Sequence, residues 1–180
     1  MCSPYTCVCG TPVDEFGKHG LSCRMMAGTI PRHSEINAIL KRALASANVN
    51  SILEPAGLSR TDNKAPDGLT LLPWARGKCL VWDATCADTT CQSYVQASSR
   101  VAGAAAELRE KHKRTLYSFL GNNYIFCPFA VETLGTFGEE ALSLVHELGK
   151  RIRDITGEPR SRLFLTQRIS IAIQRGNLTC

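Results

Sequence analysis

Apolar residues recur along the chain at several spacings, and each spacing predicts a different element. Ile36, Ile39, Leu40, Ala43 and Leu44 repeat on one side of a helical wheel. They predict a helix over 34–47, with Ser34 as its N-cap. The stretch SILEPAGLS leaves room for a short strand over 51–54 before Pro55 interrupts it, and 57–65 reads as loop. Strands over 68–72 and 79–85 follow, and Pro73 and Gly77 between them suit the turn of a hairpin. In the second strand, alternation puts Val81, Asp83 and Thr85 on one face and Leu80, Trp82 and Ala84 on the other. A helical repeat over 93–120 gathers Val101, Ala105, Leu108, Thr115, Leu116 and Phe119 on one face, and Gly121-Asn122-Asn123 ends it. The near-continuous apolar run YIFCPFAVET reads as a strand covered on both faces. Helices over 137–155 and 160–175, separated by Gly157-Glu158-Pro159, complete the pattern. The predicted class is α/β: a central mixed sheet flanked by helices. Residues 1–30 lack any core-building pattern, so 31–180 form the main domain.

Bulk properties narrow the function. The 180 residues, 44% of them hydrophobic, suffice for one substantial core. A net charge of +5 leans towards a polyanionic partner. No apolar run reaches the ~18 residues of a membrane helix, and MCSPYTCVCG has no secretory hydrophobic region. The expectation is an intracellular protein with no membrane partner. In a reducing compartment nine cysteines point to metal before disulfides. Cys7, Cys9, His19 and Cys23, spaced C-x-C-x9-H-x3-C, supply three thiolates and one imidazole, the donor set of a tetrahedral zinc. Gly10, Gly17 and Gly20 let the backbone bring them round one ion. The alternative is unbound cysteines in a loose leader. Cys2, Cys79, Cys86, Cys91, Cys127 and Cys180 show no ligand spacing and read as core or surface thiols.

Two carboxylates raise a sharper question. Asp67 follows Pro66 and precedes Gly68, whose backbone freedom lets the chain turn sharply into the strand, while Asp83 lies inside LVWDAT on the neighbouring strand. Facing carboxylates repel unless a cation sits between them, and magnesium is the common choice. The bland alternative is a capping Asp67 and an edge-strand Asp83 facing water. Two acids with one lysine are the minimum set for metal-assisted phosphodiester hydrolysis. The position two after Asp83 is Thr85, so the lysine has to come from the following helix, which offers Lys111 and Lys113. The two fall on opposite flanks of the wheel, and Tyr117 shares a side with Lys113. Glu132 reads either as a third ligand or as the partner of an arginine. Arg160, Arg162, Arg168 and Arg175 read either as a DNA-backbone track or as a solvated face. Trp74 and Trp82 read as core or turn anchors.

Pro66-Asp67 followed by Asp83 resembles the PD-(D/E)XK nuclease group. The ordered series C-x-C…H-x3-C, Arg32-His33, Pro66-Asp67, Asp83 and Lys113-x3-Tyr117 resembles more closely the restriction-like endonuclease domain at the C-terminus of site-specific non-LTR retrotransposon polyproteins. The stretches EPAGLSR, FAVETLG and LTQRISIAIQRGN are also similar to the tails of reverse-transcriptase-containing sequences. The resemblance implies a restriction-endonuclease-like fold behind a CCHC zinc knuckle over 1–30. It implies a magnesium-dependent enzyme that nicks chromosomal DNA so that the element's reverse transcriptase can prime copying of its RNA. This places the protein in the nucleus and gives it no small-molecule cofactor. Asp67 and Asp83 would hold magnesium. Lys113 would take the K-x3-Y position with Lys111 as substitute, and Glu35 would match an acid that related resolvase-type nucleases place near the metal. Arg32 and His33 would meet phosphate or hold the knuckle against the core. Ser34 and Ala65 depart from the motifs R-H-N and K/R-P-D, and Lys64 stands next to the missing basic residue. Lys64, Arg168 and Arg175 join Arg32 and His33 as expected nucleic-acid contacts. The competing expectation is a zinc-containing nucleic-acid-binding module whose active site is dead.

Overall fold

The computed structural model describes residues 3–17, 19–23, 25, 27–59 and 64–178. Cys2 and Cys180, and the 60–63 part of the predicted loop, lie outside them. The chain folds as a mixed α/β protein. A small N-terminal unit comprises β1 (Tyr5–Thr6), β2 (Pro12–Val13) and α1 (His19–Ser22), with β1 and β2 antiparallel. The main unit then runs α2 (Thr29–Ser46), β3 (Ser51–Leu53), β4 (Gly68–Thr70), β5 (Leu80–Ala87), α3 (Val95–Ser98), α4 (Ala104–Leu116), β6 (Ile125–Glu132), α5 (Glu139–Thr156) and α6 (Ser161–Asn177).

The four strands lie side by side in the order β3-β4-β5-β6. The first two pairings are antiparallel, and β5 and β6 run parallel from Leu80↔Ile125 to Ala87↔Glu132. The alternation expected of β5 is observed. Leu80, Trp82 and Ala84 enter the main core with Ile36, Leu40 and Phe129, beneath α2, α5 and α6. Val81 joins Tyr117 and Leu120 on the opposite face. The apolar run of β6 is covered by α4 and α5. It nevertheless sits at the sheet edge, the place where a strand tolerates a residue without an N–H such as Pro128.

Three expectations are corrected. The first main helix starts at Thr29, so Ser34 lies inside it and Gly28 stands at the N-cap. The predicted 93–120 helix is broken. Short α3 ends at Ser98, Gly103 turns the chain at φ +88°, and α4 begins beyond it. The expected apolar face holds only in part: Ala105 is buried as expected, but Val101, Leu108 and Phe119 are exposed while Ala106 and Glu110 are buried. The break rotates the helix so that small residues meet the sheet. The third concerns Gly68. Its φ is not left-handed, but a Cβ there would lie 2.0 Å from the Trp82 ring. The glycine makes room for the cross-strand indole, with which it pairs in register.

Candidate active site and metal centre

The expected Cys/His cluster assembles. One ligand atom each from Cys7, Cys9, His19 and Cys23 lies within 4.8 Å of all the others. Cys7 and Cys23 Sγ are 3.7 Å apart, and Cys9 Sγ is 3.1 Å from His19 Nε2. A tetrahedral zinc with bonds of about 2.3 Å needs sulfur–sulfur edges of about 3.8 Å, so the donor set fits such a metal. The turn is shaped by Gly10 N–H on Cys7 O and Cys7 N–H on Thr11 O. Hydrogen bonding between Cys9 and the Thr11 side chain and backbone draws the Cys9 thiol down to about 6, which favours the thiolate that binds metal. Besides this cluster the unit has almost no core among its described residues, with Val13 alone beside the two buried cysteines.

Arg32 docks this unit. It is 2% exposed, and its guanidinium donates to Leu21 O at 2.7 Å and Asn177 Oδ1 at 2.6 Å. Asn177 Nδ2 in turn donates to Thr133 O at 2.7 Å. Of the two roles expected for Arg32, holding the knuckle is the one its placement serves; a buried guanidinium does not reach phosphate.

The second site forms where β4 begins. Gly68, its first residue, pairs with Trp82, and just before it the Asp67 side chain takes the next β5 amide: Ala84 N–H donates to Asp67 Oδ2 at 2.6 Å. His33, one residue after the docking arginine, brings Nε2 to 2.9 Å from the same oxygen. That hydrogen bond, with the charges of Asp67 and Asp83, raises the His33 imidazole above its ordinary 6.5 against opposing desolvation and Lys113. Asp83, 3% exposed, faces α4 and accepts from Lys113 Nζ at 2.8 Å through Oδ1. Tyr117, one turn further on, donates its hydroxyl to Ala65 O at 3.1 Å, tying α4 to the Ala65-Pro66-Asp67 loop. The other oxygen of each aspartate accepts no hydrogen bond from a described residue. Asp67, Asp83, Lys113 and His33 therefore share one open cleft of about 620 Å³, lined also by Lys64.

The remaining candidates lie elsewhere. Lys111 is exposed and absent from the cleft. Glu35 accepts from Arg42 at 2.8 Å and lines a separate groove between α2 and α6, together with Arg168 and Arg175. No acid or arginine of that groove joins the aspartates. Glu132 lies outside the cleft and meets no arginine among the described residues: its Oε1 accepts Ala105 N–H at 2.9 Å and Ala106 N–H at 3.4 Å, capping α4. Glu110 does the same for α5 through Ala141 N–H at 3.0 Å. Trp82 is buried with Nε1 donating to Asn37 Oδ1 at 3.0 Å, and Trp74 lies beneath the Arg151 guanidinium, 3.6 Å from its ring centre. Neither offers a base-stacking face.

Sequence reading missed Glu54, Arg109 and His112 in the cleft wall. The signal was present: Arg109, His112, Lys113 and Leu116 stand at i, i+3, i+4 and i+7, a single helical face. Among the described residues no helix is long and apolar enough to cross a membrane. No family model matches the chain, and no curated protein matches it.

Proposed function

We infer that the chain is a magnesium-dependent DNA endonuclease of the PD-(D/E)XK type, with a restriction-endonuclease-like fold, derived from the C-terminal domain of a non-LTR retrotransposon polyprotein. The observation that supports this reading is the meeting of Asp67, Asp83 and Lys113 in one open cleft. Two carboxylates, each with an unengaged oxygen, suit a hard divalent cation. Bound there, magnesium supplies Lewis acidity and lowers the pKa of an attacking water.

The chain's own residues do the rest. Ala84 N–H and His33 orient Asp67, and Tyr117 holds the loop that carries it. Lys113 sets an ammonium beside Asp83, where it can bear charge gathering on the phosphate. The zinc knuckle, fixed by Arg32, extends the surface presented to nucleic acid. The biological role is nicking of nuclear DNA for the reverse transcriptase of the same element and its RNA.

The test is nicking of supercoiled plasmid by the purified chain in magnesium, manganese or EDTA. Metal-dependent nicking is expected, falling about a hundredfold or more in Asp83→Ala and Lys113→Ala. DNA binding with zinc present and no nicking in either metal would overturn the enzyme in favour of the binding module.

A further inference from the structure

The α4 wall of the cleft carries more positive charge than the aspartates use. Lys113 is committed to Asp83. Arg109, one turn earlier, is only partly exposed and lines the same cleft, yet makes no ion pair or hydrogen bond with a described residue. His112 beside it is likewise without such a partner and faces the same space. A partly buried guanidinium normally acquires a carboxylate, because its desolvation is otherwise uncompensated. Of the described carboxylates here, Asp67 already faces His33 and Asp83 already faces Lys113, and Lys64 adds a further cation from the loop opposite. The acid of that side, Glu54, does not balance the set.

We propose that Arg109 and His112 are a phosphate-gripping rail, which holds the DNA strand at the phosphate next to the one positioned over Asp67 and Asp83. Arg109 and Lys113 stand about 6 Å apart along the helix axis, so a strand lying against α4 meets both. The planar guanidinium suits two phosphate oxygens, and the imidazole adds a further donor. Glu110, between them on the buried side, caps α5, so the rail is carried on a helix fixed to the core. This proposal rests on the nuclease reading for its substrate, a phosphodiester backbone, and is separable from it by experiment.

The experiment is fluorescence anisotropy of a labelled duplex oligonucleotide, with no magnesium, manganese or chelator added so that the strand is not cut and the Cys/His centre keeps its metal, over a series of salt concentrations. It compares the wild-type chain with Arg109→Ala, Arg109→Ala/His112→Ala, Arg109→Lys and Lys41→Ala, the last removing an exposed cation on α2. The double variant is expected to bind about tenfold more weakly, with a log–log salt slope shallower by about one to two. Arg109→Lys and Lys41→Ala keep the wild-type slope. An unchanged affinity and slope in the double variant overturns the rail, and so does a wild-type chain that binds no DNA. If the wild type nicks plasmid while the double variant binds normally, the rail alone fails. If the slope depends on Arg109 but nothing is nicked, the nuclease reading fails and the rail stands.

Discussion

His33 Nε2 lies 2.9 Å from Asp67 Oδ2, on the oxygen that also takes the Ala84 amide. The pair gives the site a pH signature. Its imidazole is raised above 6.5, mainly by the hydrogen bond to Asp67. A raised folded-state value means that the stabilisation is complete below the unfolded value of 6.5, where both states are protonated. It is lost as pH climbs through the folded value. The stability advantage of the wild type over His33→Gln in urea unfolding should thus be larger at about pH 5 than at about pH 9. An advantage that grows with pH refutes the pairing.

Lys113→Met removes the partner of a buried carboxylate. It should destabilise the fold by about 3–5 kcal/mol, because Asp83 is left charged and enclosed. Adding Asp83→Asn should return most of that stability while leaving plasmid intact. Recovery of stability without nicking separates the structural role of the pair from the chemical one proposed for it.

Gly68→Ala brings a methyl carbon against the Trp82 indole, 2.0 Å away if nothing moves. The expected loss is about 1–3 kcal/mol by urea unfolding. The same substitution at Gly176 meets Arg32 Cγ at 1.9 Å and should loosen the knuckle selectively. Equal protection of the knuckle amides in wild type and Gly176→Ala, by hydrogen exchange, would refute that docking.

Chelation of the Cys/His centre removes nearly all that orders the N-terminal unit. One zinc per chain is expected by elemental analysis, with most of it lost in Cys9→Ser. After chelation, amides in 5–23 should exchange freely while β5 and β6 stay protected.

Glu132→Ala leaves the amides of Ala105 and Ala106 without their acceptor. A loss of about 1–3 kcal/mol is expected, together with weaker nicking, because α4 carries Lys113. Glu132→Gln, which keeps one carbonyl oxygen, should recover much of the stability.

Short-range order was legible in the sequence. Alternation alone put Asp83 opposite in sense to Trp82 on β5, and thiol spacing brought out Cys7, Cys9, His19 and Cys23. The break before α4 was not, because Val101, Leu108 and Phe119 repeat at helical spacing without sharing a buried face. Only the left-handed Gly103 hints at it. The roles of Glu132 and Glu110 were hidden for another reason: their partners are backbone amides 27 and 31 residues away, and an amide has no letter in the sequence. The choice between Lys111 and Lys113 as cleft residue likewise required the rotation of α4, which the break sets.

The Arg32 clasp also dictates an order of assembly. Its side chain joins Leu21, made early, to Asn177, which follows 145 residues after Arg32 itself. During synthesis at roughly 5–20 residues per second, the knuckle emerges many seconds before its anchor exists. It can fold round its ion while the ribosome is still working, yet it stays tethered and free to turn until α6 is released and the latch closes.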